Sequence, residues 1–572
     1  MIEHNNNLIK YIKTTKMILR LNLYKKLILN LLILLTSFSY TNLTAQNQVV
    51  QPFILDMVHH NPGDKLYQSA FNNPAVIKEM GYNGKVYFLF ESPALAINWE
   101  SIDSDILQKG SKERKWVDHK ANQIKKMHAS CKKQGVSIFA MSDLILFPKK
   151  LIKKYNIKDT YNDPNNPLTE KFIRAQINEI FDQFSDLDGL VVRIGETYLH
   201  DAPFHEGSIK DKTNPKKTII PLMKILRNEI CVKRNKQLIF RTWNSFDRNI
   251  KNYMLVNNAI EPHQNLTISI KHCEGDFHRG NPFSKVIGIG RHPQIIEVQC
   301  AREYEGKGAY PNYIANGVIE GFEEHNRMPT EQINSIREFV EKRQDIYAGI
   351  WTWSRGGGWD GPYIKNEMWC DLNAWVMTQW AKDTKQSEES IFNKYAKERL
   401  KLKENDIASF RKLCLLSSEA VVRGRNTTYS DMNPWWTRDQ GIGWPVPAEG
   451  ALAQKRNLEQ KDESIVKWEE IVKLAKSIGW NTEETRNYAI ASSEYGLLLY
   501  KIYQALIYIS DAEVKGDKEG IQKWIKAYDS SWAAYNKLPE KNNSVSTLYT
   551  KEYTRHIKNN ADSKVNLLRA NN

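Results

Sequence analysis

Eight short apolar runs, with helical patterns between several of them, constrain the fold of this chain more than any other feature. Near-continuous apolar strands that alternate with helices are typical of a parallel sheet buried on both faces. An open doubly wound sheet would also alternate, but eight strands without a Gly-rich phosphate turn favour a closed α/β barrel of the (β/α)8, or TIM-barrel, class. The apolar runs are 53–58, 85–90, 136–141, 189–192, 237–240, 266–270, 295–299 and 348–351.

The chain changes character at about residue 366, where long helical patterns replace the alternation. We therefore predict a (β/α)8 barrel over 46–365 and a C-terminal α-helical domain over 366–572, packed on the barrel. A loop in this second region contains Trp435, Trp436 and Trp444, which would either wall a sugar site or anchor the loop to the barrel. The helical patterns are 388–401, 404–422, 464–478 and 493–512.

Residues 1–45 have the layout of a secretory signal peptide. A basic segment at 10–26 precedes an apolar run at 27–38, and the segment at 42–45 ends in a small residue. The apolar run is too short to span a membrane comfortably, and no cysteine that could carry a lipid anchor closely follows it. We therefore expect an exported protein, periplasmic or secreted, that is not attached to a membrane after the signal is removed.

The charge and cysteine content narrow the classes of partner. The chain carries 81 Lys and Arg against 66 Asp and Glu, which suits an acidic partner or simply a Lys-rich solvated surface. Nucleic acid is not expected, because there is no Arg-rich run or known binding motif. The six cysteines are widely scattered and none forms a CxxC pair, so we expect no metal site. Export would allow one or two disulfides to form, and the sequence leaves this question open.

Charged and aromatic residues follow the predicted strands, at the end of a barrel where active sites are built. Carboxylates that flank a glycosidic bond suit glycoside hydrolysis, tryptophans stack on sugar rings, and arginine or lysine holds an anionic substituent. The set therefore predicts hydrolysis of an acidic sugar by side chains alone, without a cofactor or metal, although ion pairs at the barrel rim would explain the same residues. The candidate residues are Arg193, Glu196, Arg241, Trp243, Lys271, Asp276, Glu303, Trp353 and Arg355.

Several of these residues lie in stretches that resemble the glycoside hydrolase family 67 α-glucuronidases. Residues 265–283 resemble the family's asparagine, apolar strand, lysine, Asp-Phe pair and later arginine and proline. Residues 297–306 resemble its Glu-x-Gln-x-x-x-Glu-Tyr-x-Gly pattern, and 240–243 its preceding arginine strand. Residues 366–375 resemble the entry to its C-terminal helical domain.

The resemblance assigns roles to individual residues. It implies that Glu196 is the general acid of an inverting hydrolase and that Asp276 and Glu303 share the activation of water. It also implies that Arg241 and Lys271 bind the carboxylate of a uronic acid. Arg193 stands in place of the family's lysine near the acid, while Trp243, Trp353 and Arg355 complete the substrate-binding set.

The leading hypothesis is therefore an exported, inverting hydrolase that releases a uronic acid from acidic oligosaccharides, such as fragments of glucuronoxylan or ulvan. Two alternatives stay open. One is another carbohydrate-active enzyme on the same barrel, either a retaining hydrolase or a lyase, and the other is a non-catalytic polysaccharide-binding protein. A homodimer is left open as well.

Overall fold

A computed structural model describes the compact unit that begins at Pro52. Within strands and helices, the side chains at 59, 299, 326, 327, 355, 356 and 558–560 are not described. The predicted signal peptide and the Trp435–Trp436 pair lie outside the described residues. The described residues are 51–59, 69–87, 92–194, 199, 202–207, 209, 211, 213–243, 245–275, 277, 279–300, 308–327, 332–356, 366–425, 444–542, 544 and 558–571.

Eight parallel strands close into a barrel, which confirms the predicted fold class. Their spatial order is β1-β10-β9-β8-β7-β5-β3-β2, and β1 pairs with β10 to close the ring. All eight predicted apolar runs correspond to these strands. The barrel strands are β1 (Phe53–His59), β2 (Gly84–Tyr87), β3 (Ser137–Asp143), β5 (Gly189–Arg193), β7 (Gln237–Arg241), β8 (Leu266–Lys271), β9 (Gln294–Gln299) and β10 (Tyr347–Gly356).

A further pair of short strands, which the sequence patterns did not predict, joins two loops of the barrel. β4 (Leu146–Pro148) follows β3 almost directly and pairs antiparallel with β6 (His205–Gly207), which follows β5. Both strands therefore belong to loops that leave the carboxyl ends of barrel strands. The pair ties together the loops after β3 and β5.

The alternation of side chains along each strand separates two apolar layers. Leu55, Met57, Phe139, Val191 and Ile239 belong to a cluster inside the barrel, while their sequence neighbours pack outward against the helices. Because side chains on a strand point to opposite faces in turn, this alternation fixes which later residues on each strand also point inward.

Helices cover the outside of the barrel, and several begin and end at residues that favour those positions. The long second helix begins after Ser111, whose Oγ accepts a hydrogen bond from the amide of Arg114, and it ends at Gly135 in the left-handed conformation. These helices are α1 (Pro74–Met80), α2 (Lys112–Gln134), α3 (Lys149–Lys154), α4 (Pro167–Gln183), α5 (Ile220–Leu226), α6 (Ile250–Ala259), α7 (Ala315–Glu320) and α8 (Ile336–Arg343).

The described residues from 368 onward are mostly helical, as predicted. Three predicted helices are longer than their sequence patterns, and the helix over Lys518–Asn536 was not anticipated. Among the described residues, no helix is long and apolar enough to cross a membrane. The helices are α9 (Met368–Lys382), α10 (Glu388–Glu398), α11 (Glu404–Arg425), α12 (Ala451–Ser477), α13 (Glu483–Lys515), α14 (Lys518–Asn536), α15 (Leu538–Lys541) and α16 (Lys558–Asn571).

Buried polar contacts join the helical region to the barrel. The side chain of Asn373 on α9 donates to the carbonyl oxygens of Cys300 and Asn312 and accepts from two backbone amides at the start of α7. Glu388 at the start of α10 is buried and accepts from Tyr313, Asn316 and Arg411. Because buried polar groups are costly unless paired, these contacts fix the helical region to the loop after β9.

The cysteines do not form the disulfides that were left open. All six are buried thiols. Burial raises the pKa of the Cys231 thiol to about 12 and the pKa of the Cys414 thiol well above its ordinary value, because a thiolate is poorly solvated there. These thiols are therefore part of the core.

Candidate functional site

The candidate site lies inside the barrel at the carboxyl ends of the strands. Asp143 and Arg193 lie two residues beyond inward-facing Met141 and Val191, and Arg241 lies two beyond Ile239. Lys271 on β8 and Glu297 on β9 belong to the same inward rows, and they are register partners. The period of two thus places these charges in the mouth of the barrel rather than among the outer helices.

Arg193 forms a two-pronged ion pair with Asp143. The two residues are register partners on β5 and β3, and the Nε and Nη2 atoms of Arg193 donate to the two carboxylate oxygens of Asp143 at 2.9 and 3.0 Å. Both side chains are almost wholly buried. Arg193 therefore forms an ion pair at the rim of the barrel, and its Nε–Nη2 edge is occupied by a protein carboxylate.

Arg241 forms the same kind of pair with Glu297. Its Nε and Nη2 atoms donate to Glu297 at 2.8 and 2.7 Å, and the hydroxyl of Ser269 donates to the same carboxylate at 2.7 Å. The guanidinium carbon lies 5.2 and 5.3 Å from the ring centroids of Trp351 and Trp353. Arg241 is only 1% exposed, so the ion pair and the indole faces hold it in one orientation.

Lys271 lies against three aromatic rings. Its Nζ is 3.3 Å from the ring centroid of Trp243, 4.6 Å from that of Phe277 and 5.5 Å from that of Trp353. Lys271 is 4% exposed. The negative faces of aromatic rings attract a cation, and this attraction is stronger away from water. The structure thus brings Trp243, Lys271 and Trp353, which the sequence predicted separately, into one cluster.

Asp247 lies in the loop after β7, close enough to Lys271, Arg248 and Glu297 for their charges to act on it. Burial raises the pKa of its carboxyl from the ordinary value of 3.8 to about 6, against the opposing effect of its own backbone amide and of the two cations. Its Oδ1 is inaccessible to solvent and has no hydrogen-bond partner in the structure as described. The carboxylate form of Asp247 is therefore poorly solvated, and the two nearby cations do not offset the effect of its burial.

Four of the predicted site residues cannot be located. Glu196, Asp276 and Glu303, the proposed acid and water-activating groups, lie outside the described residues, and so does the side chain of Arg355 on β10. Their roles stay predictions. Among the residues that the structure describes, no group of His, Cys, Asp and Glu is arranged to hold a metal ion.

Several site residues, among them Glu297, Ser269 and Asp247, were not assigned a role from the sequence. Glu297 had a signal, because it shares the inward row with Ile295, and Ser269 precedes Lys271 by two residues on β8. Asp247 had none, because it is the sixth residue after the end of β7 in an irregular loop. Trp444, which was one of the loop tryptophans, packs against the core, and the Nζ of Lys564 lies 5.7 Å from its ring.

Comparison with known proteins places the fold among glycoside hydrolases. No family model and no curated protein matches the sequence. A solved glycoside hydrolase of family 138 that targets pectin rhamnogalacturonan II is similar, with a TM-score of 0.53, 12% identity, and 91% of this chain and 84% of that chain covered. A family 89 glycoside hydrolase from Clostridium perfringens, solved with PUGNAc, has a TM-score of 0.51 and 10% identity, with 91% and 64% covered.

The same family 89 enzyme with its substrate GlcNAc-α-1,4-galactose gives a TM-score of 0.50 at 9% identity, with 91% of this chain and 63% of that chain covered. At these identities the likeness concerns the fold. The barrel followed by a helical region is therefore a glycoside hydrolase-like fold. The narrower resemblance to family 67 stays a prediction.

Proposed function

We propose that the protein is a glycoside hydrolase that releases a uronic acid from acidic oligosaccharides with inversion at the anomeric carbon. The observation that carries this proposal is the buried Lys271 ammonium, held 3.3 Å from the face of Trp243 at the inward mouth of the barrel. An ammonium in a water-poor site attracts a carboxylate strongly. The indole face of Trp243 holds that ammonium in place at the mouth of the barrel.

The two arginines support this site in a way that differs from the sequence-based prediction. Because Asp143 and Glu297 occupy their Nε–Nη2 edges, Arg193 and Arg241 do not offer those edges to a substrate carboxylate. Their charges are also largely balanced within each pair. We propose that Lys271 is the main cation for the uronate and that the two ion pairs shape and stiffen the wall around it.

The catalytic steps are assigned to three carboxyl groups. Glu196 would protonate the glycosidic oxygen as the bond to the leaving group breaks. Asp276 and Glu303 would take the proton of a water molecule that attacks the opposite face of the sugar. In an inverting hydrolase the acid and base carboxyls lie about 6.5–9.5 Å apart, which leaves room for that water, whereas about 5–5.5 Å is typical of retention.

The first test is uronic acid release from a panel of glucuronoxylan, ulvan and pectin oligosaccharides. Wild type and Glu196→Gln are compared, and the anomer released first is identified by NMR. Release by wild type that Glu196→Gln loses, with the inverted anomer formed first, supports the proposal. Release of the retained anomer would indicate a retaining hydrolase, and an unsaturated product a lyase. Binding without any turnover would indicate a polysaccharide-binding protein.

A second test concerns the carboxylate. Lys271→Met keeps most of the length of the side chain and removes its charge, and Lys342→Met on α8 is the control because Lys342 forms a surface pair with Glu338. We expect Lys271→Met to lower kcat/KM for the uronate substrate by roughly tenfold or more. An unchanged kcat/KM would show that the uronate is bound elsewhere.

A further inference from the structure

Asp247 differs from the other two described carboxyl groups of the site, because no arginine or lysine forms a direct ion pair with it within the described chain. Asp143 and Glu297 each accept two hydrogen bonds from an arginine. Asp247 lies in the loop after β7, and its inaccessible Oδ1 receives no hydrogen bond within the described chain. A buried acceptor without a donor is rare in native proteins and is usually satisfied by water or by a ligand.

The surroundings of Asp247 indicate what kind of ligand would supply that donor. Trp243, four residues earlier in the same loop, has Lys271 at 3.3 Å from its ring centroid and the guanidinium carbon of Arg248 at 5.9 Å. The charges of the same two cations act on the Asp247 carboxyl. An aromatic face, a cation and a hydrogen-bond acceptor thus meet within one loop and the end of β8.

We propose that Asp247 binds a ring hydroxyl of the sugar whose carboxylate is held by Lys271. This inference rests on the proposed function and deepens it. Lys271 alone would accept any organic anion of suitable size. A carboxylate that accepts a hydrogen bond requires a donor on the ligand, so the pair selects a hydroxylated sugar acid over a simple carboxylate.

The test is the affinity of the full-length protein for D-glucuronic acid, D-glucose and acetate, measured by isothermal titration calorimetry. Asp247→Leu removes the acceptor while approximately keeping the volume, and Asp247→Asn retains an uncharged acceptor. Asp345→Asn is the matched control, because Asp345 is exposed and precedes β10 at the opposite end of the barrel. Thermal melting verifies that each variant folds.

We expect Asp247→Leu to weaken D-glucuronic acid binding roughly tenfold or more, Asp247→Asn to weaken it less, and the control to leave it unchanged. An affinity of Asp247→Leu for D-glucuronic acid within about twofold of the wild-type affinity would overturn the inference. If both proteins still release uronic acid from oligosaccharides, the proposed function stands in that case. Asp247-dependent binding of D-glucose without any binding of D-glucuronic acid would keep the hydroxyl site and remove the uronate function. Binding of none of the three ligands to wild type would overturn the inference, whereas the release of uronic acid from the oligosaccharide panel decides the proposed function.

Discussion

Replacing Asp247 by asparagine should stabilise the protein above about pH 6, because the native carboxyl is easier to protonate than the unfolded one. Its pKa is raised from 3.8 to about 6. Between these values the unfolded chain releases its proton while the native chain keeps it, so stability falls as the pH rises. Above the native pKa both states are ionised, and the native state carries the full penalty of a poorly solvated carboxylate.

The size of this penalty follows from the two pKa values. Linkage gives about 1 kcal/mol at pH 4.5 and about 3 kcal/mol at pH 7.5, since each pKa unit corresponds to about 1.4 kcal/mol. For roughly 500 ordered residues the entropy of unfolding is about 1 kcal/mol per kelvin, so Asp247→Asn should melt about 1 °C higher at pH 4.5 and about 3 °C higher at pH 7.5. Lys271, Arg248 and Glu297, whose charges act on Asp247, are unchanged in the variant.

The assay is the melting temperature of wild type and variant across this pH range, with Asp345→Asn as a control of opposite sign. Arg343 lowers the pKa of Asp345, so its charge stabilises the protein above the unfolded pKa, and the control should melt below wild type at pH 7.5. An Asp247→Asn difference that does not change with pH would refute the reasoning, and so would a variant less stable than wild type at pH 7.5. A gain in stability with a loss of sugar binding would mark Asp247 as a residue kept for function.

Three further outcomes follow from packing and burial. Glu297→Ala leaves the Arg241 guanidinium buried beside Ser269 without its carboxylate, and should lower the free energy of unfolding by about 3–5 kcal/mol in urea denaturation. The control, Glu463→Ala, breaks a surface pair with Arg423 and should lower it by at most about 1 kcal/mol. Equal losses in the two variants would contradict the argument. Gly349→Ala places a Cβ against the backbone oxygen of Phe53, where β1 pairs with β10, and should greatly reduce the yield of soluble protein. Gly110→Ala meets no neighbouring atom and should lower the free energy of unfolding by only about 1–2 kcal/mol. A normal melting temperature for Gly349→Ala would refute the steric account. The six buried thiols should not react with a thiol reagent in the native protein and should all react after unfolding, and labelling of the native protein would show that they are accessible.

The sequence determined the barrel because its signal is local. Each barrel strand is a short apolar run, and most long helices have a stripe of apolar residues. The periods of 2.0 and 3.6 residues therefore identified the strands and most of these helices without any knowledge of their neighbours. The inward position of Arg241, Lys271 and Glu297 also follows from that period. The β4–β6 pair had no such signal, because each strand has three residues and is defined by its partner more than fifty residues away.

Only the tertiary structure decided which charges face each other. The sequence places Arg193 and Arg241 at strand ends, but a strand end is equally compatible with a substrate contact and with an ion pair. The register of β3 with β5 sets Asp143 opposite Arg193, and the β7, β8 and β9 registers bring Glu297 within 2.8 Å of Arg241. Likewise, the environment of Asp247 depends on Lys271 and Glu297 from two other strands. Long-range electrostatics and burial are properties of the folded arrangement, and no local pattern in the chain encodes them.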